Sequence, residues 1–97
     1  MSHSLIENTE AKQYEFHIGD QLAFIQYIKV KDKIYLTHTE VPKALEGQGI
    51  ASGLVKAVLN KVEEEGRKLY PLCPFVAAYL KRHPEWQRLL ADGIKVG

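Results

Sequence analysis

The sequence predicts a small α/β (α+β) domain in which an antiparallel meander of strands is followed by a helix, a strand and a second helix. Three patterns support this order. From residue 14 onward apolar and polar residues alternate, which is the two-residue period of strands. Between residues 50 and 62 apolar residues recur every four positions, as they do on one face of a helix. A short apolar run at residues 68–72, punctuated by proline, then predicts one more strand.

Length and composition fit one domain. The chain has 97 residues, of which 45% are hydrophobic and 26% are charged. This length is enough for one compact domain and too short for two. Residues 1–10 are polar and show no period, so we assign them to a flexible N-terminus. Residues 11–97 are assigned to a single domain.

Charge and hydropathy restrict the function classes. Thirteen basic and 12 acidic side chains leave a formal net charge of +1, so no general nucleic-acid partner is expected. No run of about 18 apolar residues is present, so no membrane partner is expected. Cys73 is the only cysteine, which excludes an intramolecular disulfide and favours a reducing, cytoplasmic location. The histidines show no metal-ligand spacing, so no metal is expected.

The first half of the domain is predicted to form three strands. Residues 14–18 alternate as in a strand with one buried face, and Gly19-Asp20 predicts a hairpin turn. Residues 22–30 are apolar on both faces, which favours a central strand covered on both sides. A third strand covers residues 34–41 and ends at Pro42, because proline has no donor for the ladder.

The second half is predicted to form two helices separated by a strand. The first helix begins at Ile50, and Gly66 suits the left-handed position just past its end. After the strand, Pro74 fits the first turn of a second helix, since its missing N–H would have no partner there. That helix is stopped by His83-Pro84, and an apolar patch around Trp86 predicts a last helical turn.

The segment Glu46-Gly47-Gln48-Gly49-Ile50-Ala51 joins the third strand to the first helix. Its small residues let a ligand approach the backbone, and the unpaired amides and positive dipole end of the helix favour an anion. On spacing alone, a Gly-x-Gly matches neither the Walker A loop nor the dinucleotide fingerprint in full. A plain flexible turn therefore stays as the alternative.

Glu46-x-x-Gly49-x-Ala51 resembles the Q/R-x-x-G-x-G/A motif of the GNAT superfamily of acyltransferases, which binds the pyrophosphate of coenzyme A. Together with Pro71-Leu72-Cys73-Pro74-Phe75-Val76, it resembles small single-domain GNAT-like N-acetyltransferases over residues 14–90. The resemblance implies a small GNAT-like fold. The N-terminal helical region of larger members, which helps to build the acceptor pocket, is reduced here.

The resemblance implies acetyl-CoA, or another acyl-CoA, as cosubstrate and an unidentified amine as acceptor. It places the pyrophosphate on backbone amides of the glycine turn and the acyl or pantetheine part beside a strand end. The cofactor-binding residues so implied are Val41, Glu46, Gly47, Gln48, Gly49, Ile50, Ala51, Ser52 and Gly53. Glu46 departs from the usual Gln or Arg, and since a carboxylate repels a pyrophosphate, only its backbone is expected to serve.

Four residues are candidates for the chemistry. Cys73 is either a small buried hydrophobic residue or a thiol, activated by the N-terminus of the second helix, that accepts the acyl group. Tyr79 resembles the general acid of GNAT enzymes, which protonates the departing thiolate; its alternative is a core tyrosine. His38 and Glu40 share one face of the third strand, either as a general base for the amine or as solvated surface.

Two functions from different classes follow. The first is an N-acetyltransferase that transfers the acyl group by direct attack or through Cys73. The second is a module that binds acyl-CoA or a protein partner without turnover. The reduced N-terminal region and Glu46 favour the second reading.

Overall fold

Within residues 3–96, the range that the computed structural model describes, five strands form one sheet whose spatial order follows the chain. The strands are β1 (Ile6–Asn8), β2 (Gln13–Ile18), β3 (Gln21–Val30), β4 (Lys33–Glu40) and β5 (Lys68–Pro71). The helices are α1 (Ile50–Glu65) and α2 (Pro74–Arg82), with 3-10 turns at Lys43–Leu45 and Pro84–Leu89. The predicted α+β fold class is confirmed. Met1, Ser2 and Gly97, parts of the predicted tail and domain, lie outside the described residues.

The sheet combines a meander with a crossover. Strands β1 to β4 pair antiparallel with their neighbours along the chain, and β5 pairs parallel with β4. Two parallel neighbours need a long connection, which α1 provides. The meander, the helix and the final strand therefore occur in the predicted order.

Strand β3 is covered on one face, so the prediction of a strand covered on both sides was wrong. Ala23, Ile25 and Tyr27 are buried, whereas Ile28 is 50% and Val30 is 48% exposed. Buried side chains of both helices belong to the same core cluster as the buried residues of β3. On the opposite face of β3, Leu22 and Phe24 are half-buried and Ile28 and Val30 are exposed.

Residues 6–8 form β1, although the sequence showed no regular structure there. The strand pairs with β2 and places Asn8 opposite Gln13. On the same face Glu15 is only 4% exposed, so β2 is buried on both faces rather than one. Its carboxylate accepts hydrogen bonds from Asn8 Nδ2 at 2.9 Å and Gln13 Nε2 at 2.7 Å, and lies 2.7 Å from His17 Nε2. Burial alone would raise the pKa of Glu15, but these bonds outweigh it and lower the pKa.

A charged cluster joins β1 and β3 to the end of α1. Lys29 Nζ lies 2.9 Å from Glu7 Oε2 and 3.2 Å from Glu65 Oε1. The hydroxyl of Tyr27 donates to Glu7. Burial would lower the pKa of Lys29, but the bonds to these carboxylates raise it well above its ordinary value. The side chain is therefore a permanent cation that ties three elements together.

The helix boundaries agree with the sequence. Helix α1 begins at Ile50, and Gly66 adopts the left-handed conformation (φ 67°) with its N–H bonded to the last turn. Pro74 is the first residue of α2, and the helix ends before His83-Pro84. Trp86 lies in the 3-10 turn that follows, as the apolar patch predicted.

Strand β4 carries a β-bulge and then separates from β5. Gln26 faces His38 and Tyr27 faces Leu36, so Thr37 is the extra residue. The β5 pairing ends at Leu36, whose carbonyl accepts the N–H of Cys73 at 2.9 Å. Within the described range, residues 37–40 have no strand partner on the β5 side. The sheet therefore opens at this point.

Candidate functional site

A cavity of about 500 Å³ lies where β4 ends and α1 begins. It sits at the opening of the sheet beyond the bulge. We call it the α1 cavity. Its walls come from the end of β4, the loop that follows, the first turn of α1 and one residue of α2: Thr39, Glu40, Val41, Leu45, Glu46, Gly47, Gly49, Ile50, Ala51, Ser52 and Phe75.

The first turn of α1 presents unpaired amides to this cavity. The first intrahelical bond runs from Gly53 N to Gly49 O at 3.0 Å, so the N–H groups of Ile50, Ala51 and Ser52 have no acceptor within the helix. Gly49 is the N-cap and offers no side-chain oxygen, and the first turn carries no acidic residue. All three amide-bearing residues line the cavity. The positive end of the helix dipole is thus left open to an anion.

A glycine is needed at position 49 because of its backbone conformation, and not because neighbouring atoms leave no room for a side chain. Its φ of 74° is a left-handed conformation that L side chains rarely adopt. A Cβ added here would meet no atom of the described residues within 4 Å. The space above the turn is therefore free for a ligand.

The predicted cofactor-binding residues fall on two sides of α1. Seven of the nine line the α1 cavity: Val41, Glu46, Gly47, Gly49, Ile50, Ala51 and Ser52. Gln48 and Gly53 instead line a groove on the opposite side of the helix. The Gln48 side chain is exposed and donates to Ala44 O at 3.4 Å. Glu46 is exposed as well, so its carboxylate stays hydrated at the rim.

Cys73 lies behind the cavity wall. It is the N-cap residue of α2 and only 4% exposed. Its Sγ is 3.3 Å from Thr39 Oγ1, and Thr39 lines the cavity. The Thr39 hydroxyl therefore connects the thiol to the cavity across the opening between β4 and β5.

Tyr79 is also buried, at 5% exposure. Its ring lies against His83 with the ring centroids 4.2 Å apart. Burial, with Glu85 adding to it, raises the pKa of Tyr79, so its phenol is protonated at neutral pH. Phe75, one turn earlier on α2, lines the cavity in its place.

His38 and Glu40 share one face of β4, as the alternation predicted. His38 Nε2 is 2.7 Å from Glu40 Oε1, and both side chains are more than half exposed. Glu40 lines the α1 cavity. The pair therefore begins at the cavity rim and extends into solvent.

Three wall residues were missed by the sequence analysis: Thr39, Leu45 and Phe75. Thr39 alternates with His38 and Glu40, and Phe75 precedes Tyr79 by one helical turn. Both signals were present in the sequence. Leu45 was hidden because the 3-10 turn that buries it has no period long enough to recognise.

None of the helices within residues 3–96 is long and apolar enough to cross a membrane. Nor do three or more His, Cys, Asp or Glu side chains in this range come together as metal ligands.

Similar sequences occur among vertebrate proteins. Protein NATD1 of Xenopus tropicalis is 43% identical over 54 residues, covering 56% of this chain and 50% of the relative. Protein NATD1 of Homo sapiens is 47% identical over 49 residues, covering 50% and 43%. Protein NATD1 of Danio rerio is 39% identical over 59 residues, covering 61% and 54%. The chain thus spans about half the length of the curated relatives it matches.

A family model described as GCN5-related N-acetyl-transferase matches residues 13–89, which include the strands β2 to β5, the glycine turn and both α-helices. The match covers most of the chain and agrees with the fold. The chain belongs to the GCN5-related N-acetyltransferase family.

Proposed function

We propose that the chain binds acetyl-CoA, or a related acyl-CoA, in the α1 cavity and transfers the acyl group to an amine. The observation that carries this proposal is the set of unpaired amides of Ile50, Ala51 and Ser52 at a cavity beside the open edge of β4. Family membership supports the reaction class.

The residues present fit this cosubstrate. Three adjacent amides at a helix N-terminus suit a pyrophosphate, which carries several acceptor oxygens and negative charge. Residues 37–40 of β4 offer backbone groups without a strand partner on the β5 side, and the pantetheine arm carries amides that would pair with them. A volume of about 500 Å³ lies within the ordinary range of small-molecule sites.

Side chains and backbone groups of the chain are assigned the following roles in the acyl transfer. His38 and Glu40 take a proton from the attacking amine at the cavity rim. A backbone amide at the end of β4, near Val41, stabilises the oxyanion as the tetrahedral intermediate forms. Tyr79 is the candidate general acid for the departing thiolate, although it does not line the α1 cavity. Because an alkyl thiol has a pKa of about 8.5, below the raised pKa of Tyr79, the phenol would stabilise the thiolate by a hydrogen bond rather than give up its proton fully.

Cys73 supplies a second route. Its sulfur would attack the thioester carbonyl, a carbon–sulfur bond to Cys73 would form as the one to CoA breaks, and CoA would leave as the thiol with the proton of Cys73. The amine would then attack the same carbonyl to form an amide, the bond to Cys73 would break, and the proton lost by the amine would restore the Cys73 thiol. Thr39, 3.3 Å from Sγ, is placed to hold that thiol in position.

A non-catalytic acyl-CoA-binding module or protein-interaction domain is the second candidate. The burial of Cys73 and Tyr79 behind the wall and the carboxylate of Glu46 at the rim favour it. Three measurements with acetyl-CoA separate the candidates. An acetyl adduct seen by intact-mass measurement and lost in Cys73→Ala supports the covalent route, and amine-dependent release of free CoA thiol supports transfer. Binding by calorimetry with neither of these results supports the module.

Gly49→Glu tests the binding site. The substitution places a carboxylate against the first-turn amides, so acetyl-CoA binding measured by titration calorimetry should be lost. Gly66→Glu is the matched control, because Gly66 has a similar left-handed backbone at the far end of the same helix and bears the same strain. It should bind as the unmodified chain does. Undiminished binding by a folded Gly49→Glu protein would contradict the assignment of the pyrophosphate to the first-turn amides.

A further inference from the structure

The face of the sheet opposite the two helices carries the exposed apolar side chains of β3, and we call it the outer face. Residues paired across neighbouring strands project to the same face, so the register assigns its members. Its apolar members are Leu22, Phe24, Ile28 and Val30 of β3, Tyr35 of β4 and Tyr70 of β5. The rings of the two tyrosines stack with their centroids 4.5 Å apart. An apolar surface of this kind marks an interaction site.

The charged residues of the outer face divide by sign along β4. Lys33 pairs with Val30 on one side and with Lys68 on the other, so both lysines lie at one end of the face. Glu40 pairs with Phe24 at the opposite end, about 20 Å further along β4. Among residues 3–96, no carboxylate lies within 4.0 Å of either lysine ammonium. This strand is therefore positive at one end of the face and negative at the other.

We propose that the outer face binds a second copy of this chain, related by a two-fold axis that lies in the interface and crosses the strands between Gln26 and Ile28. Such an axis reverses the strand direction but keeps each strand above its own counterpart. Glu40 then faces the partner's Lys33, and Lys33 faces the partner's Glu40. Phe24 likewise packs on the partner's Val30. Both copies use the same patch, as an isologous interface requires.

The charges select this axis over the other two-fold arrangement. An axis that runs along β4 would also place β4 above its counterpart, but with the two strands parallel. Lys33 would then face the partner's Lys33, and Glu40 would face the partner's Glu40. Like charges brought together in this way oppose association. The axis across the strands replaces each repulsion with an ion pair, so charge complementarity identifies both the occupant and its orientation.

The size and polarity of the outer face suit a weak dimer. Residues 22–30 of β3 give it a length of about 27 Å, and the five strands give it a width of about 24 Å. Two such faces would bury on the order of 1,300 Å², near the lower end of the range for specific interfaces. The side chains beside the axis include those of Gln26 and His38, which are polar. We therefore expect a Kd in the micromolar range, so that dilute samples are monomeric.

The partner copy contributes a residue to the candidate site. Glu40 lines the α1 cavity, so the partner's Lys33 would place a cation at the cavity rim, next to the pair of Glu40 and His38. The inference does not depend on acyl-CoA binding, because the first-turn amides of α1 lie on the other side of the sheet.

Sedimentation velocity from about 1 μM to about 500 μM measures the association, which mass action makes concentration-dependent. The unmodified chain should change from monomer to dimer over this range. A chain that stays monomeric throughout would overturn the inference.

Charge reversal tests the two-fold arrangement. Lys33→Glu and Glu40→Lys each bring like charges together at both ends of the interface, so each should weaken the dimer at least about tenfold. An equimolar mixture of the two variants pairs opposite charges at both ends and should restore dimers. Far-UV circular dichroism checks that each variant is folded. Dimers that neither reversal weakens, or weakened dimers that mixing does not restore, would overturn the arrangement.

Matched controls and an uncharged variant separate the outer face from the rest of the surface. Lys56→Glu and Glu64→Lys change exposed residues of α1, on the other side of the sheet, and should leave the Kd unchanged. Ile28→Thr keeps a β-branched residue in the strand but removes apolar surface from both copies, so it should weaken the dimer about tenfold. An unchanged Kd for Ile28→Thr, or a Kd raised equally by the α1 controls, would contradict the assignment of the interface.

Discussion

Replacing Gly53 with alanine is expected to make the protein more stable. Glycine in a helix interior is about 1 kcal/mol less favourable than alanine. At Gly53 the new Cβ meets Phe16 Cε2 at 3.9 Å, an ordinary contact, and the backbone is helical. No steric term opposes the gain, so the free energy of unfolding should rise by about 1 kcal/mol. For a domain of this size that raises Tm by about 4–8 °C.

Gly66→Ala on the same helix should have the opposite effect. Gly66 has a φ of 67°, and a left-handed residue with a Cβ costs about 1–2 kcal/mol. Both positions are exposed, and a Cβ at Gly66 would meet nothing within 4 Å. The two variants therefore add the same methyl group and differ in backbone conformation.

Thermal and urea unfolding, followed by far-UV circular dichroism, measure both variants against the unmodified chain. The expected order of Tm is Gly53→Ala, then the unmodified chain, then Gly66→Ala. A Gly53→Ala protein with unchanged or lower Tm would refute the reasoning, because it would mean that the fold itself needs this glycine.

Two further predictions concern the charged side chains of the sheet. Glu15→Gln places an amide N–H₂ among donors, so it should lower the free energy of unfolding by about 1–3 kcal/mol at pH 7. The folded pKa of Glu15 is depressed, so its stabilisation is present above the ordinary pKa of 4.5 and is lost as pH falls through the folded value. Urea unfolding between pH 3 and 7 should show a shallower acid decline in Glu15→Gln, and equal slopes would contradict the assignment. Lys29→Met leaves Glu7 and Glu65 without their shared cation and should cost about 2 kcal/mol, whereas exposed Lys33→Met should stay within about 0.5 kcal/mol; similar urea midpoints for these two variants would argue against the cluster.

The sequence predicted those parts of the fold that depend on local chemistry. Gly66 and Pro74 marked the end of one helix and the start of another, because each residue has a conformation that few others share. Alternation predicted β2, an apolar run predicted β3, and Pro42 marked the end of the strand observed as β4. The residues of β1 were missed, because three residues are too few to display a period.

Burial was harder to predict than secondary structure. Apolar residues on both faces of β3 suggested two covered faces, but nothing in a strand says whether a layer lies over each face. Residues 14–18 were predicted to have one buried face, because a single sequence does not reveal that Asn8 and Gln13 will surround the carboxylate of Glu15. The bulge at Thr37 was likewise invisible, although it determines which β4 side chains face the site.

The candidate site was anticipated where the backbone defines it and less well where side chains do. Val41 was named through the family resemblance and the glycine turn through its motif, and Val41 and all of the turn except Gln48 line the α1 cavity. Cys73 and Tyr79 are 4% and 5% exposed, which is the buried position that the sequence left as the alternative for each. Whether those two groups act in chemistry stays a prediction that the mass measurements address.

The parallel pairing of β4 with β5 has a consequence for how the chain folds. Strands β1 to β4 contact their sequence neighbours through short turns, so their loops close at low entropic cost. The loop that β5 closes when it pairs with β4 includes the whole of α1, and only four residue pairs offset the entropic cost of closing it. We expect the meander to form first and the α1 cavity to be completed last. A nascent chain would therefore acquire its four-stranded meander well before it acquires its site.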